Sequence, residues 1–190
     1  LKKKVIEERN KTMKKLTLFA FVAALMMISS AAFAQTTASG TLTVTATVNG
    51  TISLVFNSDP AGVALSGAGT NAATLAFGTV QAFGGALTAG ITRTVVAGTS
   101  FTVSSPVDVF VDKSNVASAN YTLKAQLNAA DAVNTWSVGG VPVTNAAAAT
   151  ITATGAYTSN VPETVALTIP FTTASGTNIS NAINFTATAN

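Results

Sequence analysis

Residues 41–48 read Thr-Leu-Thr-Val-Thr-Ala-Thr-Val, so Leu42, Val44, Ala46 and Val48 alternate with threonine without a break. A period of two places all four apolar side chains on one face, and an extended strand is the element with that period. Threonine on the other face is β-branched and favours the extended chain. The same alternation returns at Val107, Val109 and Val111, and again at Tyr121, Leu123, Ala125 and Leu127. No comparable amphipathic helix follows residue 34.

Turn residues divide the rest into short pieces. Asn49-Gly50 is a turn signal between strands 41–48 and 51–56. Residues 57–70 hold Asp59-Pro60, Gly62, Gly67 and Gly69 and read as a loop. Strands are expected at 74–80, 91–96, 101–103, 107–112 and 121–127. Gly139-Gly140 between Trp136-Ser137-Val138 and Val141-Pro142-Val143 suits a two-residue hairpin with positive φ, and Pro142 belongs at an edge. Strands at 150–154, 164–171 and 182–189 complete the set. Many short strands with regular turn signals predict an all-β fold, an antiparallel β-sandwich of the immunoglobulin-like or pilin-like kind. Phe56, Phe77, Phe101, Tyr121, Trp136, Phe171 and Phe185 are the expected core aromatics.

The N-terminal part has a different character. Lys14 and Lys15 follow Met13, an apolar run covers 16–28, and a small-residue stretch ends in Ala32-Phe33-Ala34. That order is the pattern of a secretory signal peptide, with the cut between Ala34 and Gln35. The expected organisation is therefore an upstream extension at 1–12 preceding the true start, a signal peptide at 13–34, and one β-sandwich domain at 35–190. The protein is then secreted by the general export route to the periplasm, cell surface or medium, meeting the membrane only during export.

Removing the first 34 residues inverts the electrostatics. Arg93, Lys113 and Lys124 remain against Asp59, Asp108, Asp112, Asp131 and Glu163, a net charge of −2 instead of the +3 of the whole chain. No basic patch is left to attract nucleic acid. Ordinary domains carry about 25% charged residues. Eight charges in 156 residues is far fewer, which weakens the repulsion that keeps proteins monomeric.

The chain contains no histidine and no cysteine. That removes the usual general base, the thiol nucleophile and nearly every zinc site. Asp108 and Asp112 fall on one strand face opposite the valines, about 13 Å apart, too far for paired carboxylate catalysis. They read as two solvated acids on an outer face. Asp108, Asp112 and Asp131 lack calcium-loop spacing. No catalytic, metal or cofactor-binding residue is expected, and the chain reads as a non-enzyme with no cofactor. Trp136 beside its hairpin offers one alternative to core packing, a platform for stacking sugars.

Together, the export signal, the early alternating strand, Leu75-Ala76-Phe77-Gly78-Thr79-Val80 and a final strand ending at Asn190 resemble bacterial exported β-sandwich surface proteins. The group is that of chaperone–usher pilins and spore-coat-U-like proteins. The chain departs from many pilins in lacking a cysteine pair and an aromatic near its last residue. The resemblance implies a structural or adhesive, fimbrial-type protein of the cell surface. Its partners would be copies of itself or other surface subunits, joined by strand addition, with Leu42, Val44, Ala46 and Val48 as the candidate donor or edge strand. That segment also has the plainer reading of a first strand in its own sandwich. The alternative function is a secreted module that binds carbohydrate or matrix alone, with glycans as partners.

Exported protein is expected to begin at Gln35. Mass analysis of secreted material that retains residues 16–34 would overturn the signal-peptide assignment.

Overall fold

The computed structural model describes residues 13–15 and 39–190. The expected signal segment and its Ala34–Gln35 cut lie outside the described residues, apart from 13–15, which are helical. The chain divides into two units, Leu1–Ala46 and Thr47–Asn190. In the first, residues 39–46 carry no regular structure.

The second unit is all β. Its strands are β1 (Thr51–Asn57), β2 (Thr92–Val96), β3 (Ser100–Ser114), β4 (Asn120–Leu127), β5 (Thr135–Val138), β6 (Val141–Val143), β7 (Ala149–Ala156), β8 (Asn160–Pro170) and β9 (Ile183–Ala189). They form two antiparallel sheets, β1-β3-β8-β5-β6 with β2 also on β3, and β7-β4-β9. The sheets pack face to face as a β-sandwich.

Alternation in β3, β4 and β8 builds the core. Val103, Val107, Val165, Leu167 and Ile169 of the larger sheet share a cluster with Ala125 and Leu127 of the smaller. Val109 and Val111 meet Tyr121, Leu123 and Tyr157 in a second cluster. Each fully buried Val or Leu contributes about 1.5–3 kcal/mol before ordering costs. Gly155 lies under the Tyr121 ring so closely that a Cβ there would enter it.

Long β3 joins two stretches, 101–103 and 107–112, that the sequence separates at Pro106. Its continuity has a hydrogen-bonding reason. Phe56 bonds the 69–70 segment through both its N–H and C=O, so Val109 opposite it makes a non-hydrogen-bonded pair with β1. Even-numbered residues of β3 therefore aim their polar groups towards the side held by β1 and β2. β2 reaches Ser104 and β1 reaches Asp108, leaving a gap at Pro106. The missing N–H of Pro106 faces that gap and no ladder bond is lost.

The hairpin at Gly139-Gly140 forms as expected, with φ of 57° and 78°, and Pro142 lies on edge strand β6. Other expectations need correction. Residues 41–48 form no strand, and Asn49-Gly50 forms no turn with positive φ. Instead Gly50 passes so near the Asn115 carbonyl that a Cβ would lie 2.7 Å from its oxygen. Residues 74–80 are not a strand; only Thr74 bridges, to Ser66. Leu75, Phe77 and Val80 pack against the core from irregular backbone, since positive φ at Gly78 breaks the extended run. Phe101, Tyr121 and Trp136 are buried, whereas Phe56, Phe77, Phe171 and Phe185 are only partly so.

Gly155→Ala should lower stability by about 1–3 kcal/mol, because the added methyl displaces the Tyr121 ring from a closed core. Denaturant midpoints with an unchanged m-value are the check. A midpoint equal to that of the parent would show that the ring has room to move.

Candidate functional site

Each sheet ends in an open edge on the same side of the sandwich. Among the described strands, β1 pairs only with β3 and β9 only with β4, and Phe56 of β1 also bridges Thr70. Between them runs a groove of about 710 Å³, lined by Ile52–Phe56, by Gly69, Thr70 and Asn71, and by Ile183, Asn184 and Phe185. Phe56 and Phe185 meet edge to face across it, with centroids 5.1 Å apart and planes at 68°. Its lining carries no charged side chain.

Backbone geometry gives this groove its chemistry. Phe56 N–H donates to Thr70 O at 2.9 Å, and Phe56 O accepts from Gly69 N–H at 2.7 Å. β1 runs from Thr51↔Ser114 to Asn57↔Asp108 with no register shift. In a regular antiparallel strand, alternate residues aim their polar groups the same way. Ile52 and Leu54 therefore turn N–H and C=O into the groove, while Thr51, Ser53 and Val55 bond β3. Side chains of Ile52, Leu54 and Phe56 pack on the second core cluster. The groove thus offers two residues of free main chain beside a half-buried apolar floor, the recognition surface for an added strand.

The candidate donor residues lie in full view of solvent. Leu42, Val44 and Val48 are 86%, 81% and 70% exposed, and Ala46 is exposed as well. None belongs to a strand. Four exposed apolar residues with no sheet partner among the described residues are an unusual exposure for a chain already so poor in charge.

Carboxylates take structural places. Asp131 accepts hydrogen bonds from the Val133 and Asn134 amides at 3.0 and 2.8 Å, and from Trp136 Nε1 at 2.8 Å. Burial pushes its pKa up, but the amide of Asn134, the Trp136 indole, the Asn134 side chain and the amide of Val133 together bring it down to about 2. Trp136 is 7% exposed, as expected of a core aromatic, so the alternative of a sugar platform at the surface is not available. Its Nε1 needs a partner to be buried, and Asp131 is that partner.

Asp108 corrects the expectation of a solvated outer face. It is 6% exposed, and Asn160 Nδ2 donates to it at 3.1 Å. Asn160 in turn accepts from Asn57 Nδ2 at 3.0 Å. Burial first, then the charge of Asp59 and a hydrogen bond to it, raise the Asp108 pKa, while Asn160 opposes them. Asp59, from the loop after β1, and Asn160 of β8 flank this carboxylate, which alternation along β3 alone does not reveal. Asp112 stays exposed as expected. Glu163 is buried and accepts from Thr152 Oγ1 at 2.8 Å. No group of three His, Cys, Asp or Glu suited to a metal ion occurs among the described residues. No helix among them is long and apolar enough to cross a membrane.

The raised Asp108 pKa has a definite sign in stability. A carboxyl that holds its proton more tightly when folded stabilises the fold at acid pH, and that stability is lost as pH rises from about 3.8 through the folded pKa. Asp131 acts oppositely: its contribution is present above about pH 3.8 and lost as pH falls through about 2. Asp108→Asn should therefore raise the denaturant midpoint at pH 7 and shift it much less at pH 4. An equal effect at both values would show that the Asp59–Asp108 proximity carries no charge penalty.

Scans against protein-family models, curated proteins and solved structures found no match to this chain.

Proposed function

We propose that this protein is an exported, non-enzymatic structural or adhesive subunit of the bacterial cell surface, of fimbrial type, that joins its neighbours by strand addition. One observation carries the reading. The same chain presents an unpaired, alternating apolar segment at 41–48 and an uncharged groove with free main chain at Ile52 and Leu54. The two are complementary in chemistry and in length, eight residues against the seven of β1 and the seven of β9.

Other features agree. A low charge count favours association over dispersal. The buried carboxylates of Asp108 and Glu163 are held by neighbouring strands, and Asp131 holds a loop, as a scaffold requires. The absence of histidine and cysteine leaves little equipment for catalysis. Donor residues would contribute through burial, about 1.5–3 kcal/mol for each fully covered Leu or Val before ordering costs.

Val44→Asp puts a charge on the face that would enter the groove. The variant should lose oligomers on native gels, while its stability stays within about 0.5 kcal/mol of that of protein lacking residues 35–48, as for other exposed sites. A synthetic peptide covering 41–48 should bind protein lacking residues 35–48 and raise its midpoint. Unfolding of an otherwise monomeric protein by Val44→Asp would instead make 41–48 part of a self-contained sandwich, and the reading would fail.

A further inference from the structure

Asn49 is the only asparagine in the chain that glycine follows. Asn49 and Gly50 are both exposed and lie outside any strand, just before β1. We propose that Asn49 is a self-modifying site. Its side chain closes on the Gly50 amide and then opens in water, without an enzyme, to aspartate and isoaspartate. The proposal is independent of what fills the β1–β9 groove.

The chemistry has three requirements. The amide nitrogen after the asparagine must be free to attack. The asparagine side chain must be free to turn towards it. The residue that carries the amide must not crowd the approach. Neither the Gly50 N–H nor the Asn49 side chain has a hydrogen-bond partner among the described residues. Pairing with β3 begins only at Thr51, opposite Ser114, so no ladder bond holds the 49–50 peptide. Gly50 has no Cβ to stand in the way of ring closure.

Other asparagines fail at least one requirement. Asn57, Asn134, Asn160 and Asn181 hold their side-chain amides in hydrogen bonds. Asn71 and Asn145 are exposed, but alanine follows each, and its Cβ hinders the approach.

The fold itself keeps glycine at position 50. A Cβ there would lie 2.7 Å from the Asn115 carbonyl oxygen and 3.1 Å from Val116 Cγ2. Asn115 sits in the turn after β3 with a φ of 56°, a left-handed conformation that asparagine tolerates better than most residues. A larger residue at 50 would displace that turn. Packing demands the glycine, and the glycine makes its neighbour labile.

The step balances with water as the sole co-reactant. The Gly50 nitrogen gives up its proton and bonds to Asn49 Cγ. The bond from Cγ to Nδ2 breaks, and Nδ2 leaves with that proton as ammonia. A five-membered imide remains. Water then opens it at one of two carbonyls. Cleavage of the new Cγ–N bond yields aspartate. Cleavage of the original peptide C–N bond yields isoaspartate, in which the main chain runs through Cβ and Cγ. Nothing is oxidised or reduced.

Either product places a negative charge beside Val48. The isoaspartyl form also lengthens the main chain by one atom. Gly50 is seated against Asn115 and Thr51 is paired with Ser114, so the added length falls before them, outside the sandwich.

The full chain is held at mildly alkaline pH, where more of the amide nitrogen is deprotonated, and sampled over days. Peptide mapping by mass spectrometry locates the change, and isoaspartyl methyltransferase counts the isoaspartate. A gain of about 1 Da is expected, confined to the peptide that contains Asn49. Folded protein should react at no less than about a third of the rate of the urea-denatured chain, because no structure has to open first. A slower reaction in the folded state would overturn the proposal, as would an equal gain at other asparagines. Asn49→Gln should abolish the gain and leave the denaturant midpoint unchanged, and a gain that persists in this variant would place the chemistry elsewhere. Modified protein, separated by ion exchange, should unfold at the midpoint of fresh protein. A lower midpoint would show that the change reaches the sandwich and would overturn its assignment to the segment before β1.

Discussion

Main-chain hydrogen bonding along β3 is the constraint on which the rest of this sandwich depends. A strand of fifteen residues exceeds any neighbour, so it bonds β8 along one side and shares the other between β2 and β1. Odd-numbered residues serve β8 and even-numbered ones serve β1 and β2. Pro106 is tolerated because its missing donor faces the break between those two strands. The same parity then passes through β1 to its far side, where Ile52 and Leu54 have no ladder partner among the described residues. An open site at one edge is thus a consequence of how the centre of the sheet is paired.

The polar interior follows the rule that buried groups need partners. Asp131 gathers two amides and the Trp136 indole, and in doing so closes the loop before β5. Asp108 is less comfortable, held by Asn160 but near Asp59. Tyr121 Oη is buried without a hydrogen-bond partner, although the ring itself is gripped by Gly155 and stands 5.3 Å from Tyr157. Packing of the ring outweighs the cost of its hydroxyl, about 1–3 kcal/mol for an unsatisfied buried group.

Much of the fold is legible in the residues. Alternation in β3, β4 and β8 identifies both the strands and their buried faces, because side-chain direction in a strand is a local property. The Gly139-Gly140 turn is equally local, since positive φ at two successive residues is cheap only for glycine. Where local reading failed, a distant contact intervened. Residues 74–80 have strand-like content but find no neighbour to pair with along their length. Asp108 is on the face opposite the valines, as alternation requires, but Asp59 and Asn160 flank it and it is buried. Trp136, by contrast, is buried as expected of a core aromatic, with its indole held by Asp131 five positions earlier.

Residues 41–48 mark the division most clearly. Composition and period by themselves determine that Leu42, Val44, Ala46 and Val48 would share one apolar face wherever this segment is extended. They also determine the all-β class, since threonine, valine and glycine at these spacings suit no helix. Which strand edge remains open, and which of its residues have free polar groups, was decided only by the tertiary structure. Pairing joins residues far apart in sequence, such as Phe56 with Val109 and Val109 with Val161. The direction of each N–H follows from those pairings and from nothing local. For that reason the sequence names a segment with an alternating apolar pattern, while the folded sandwich alone determines which edge of the sheet lacks a strand partner among the described residues.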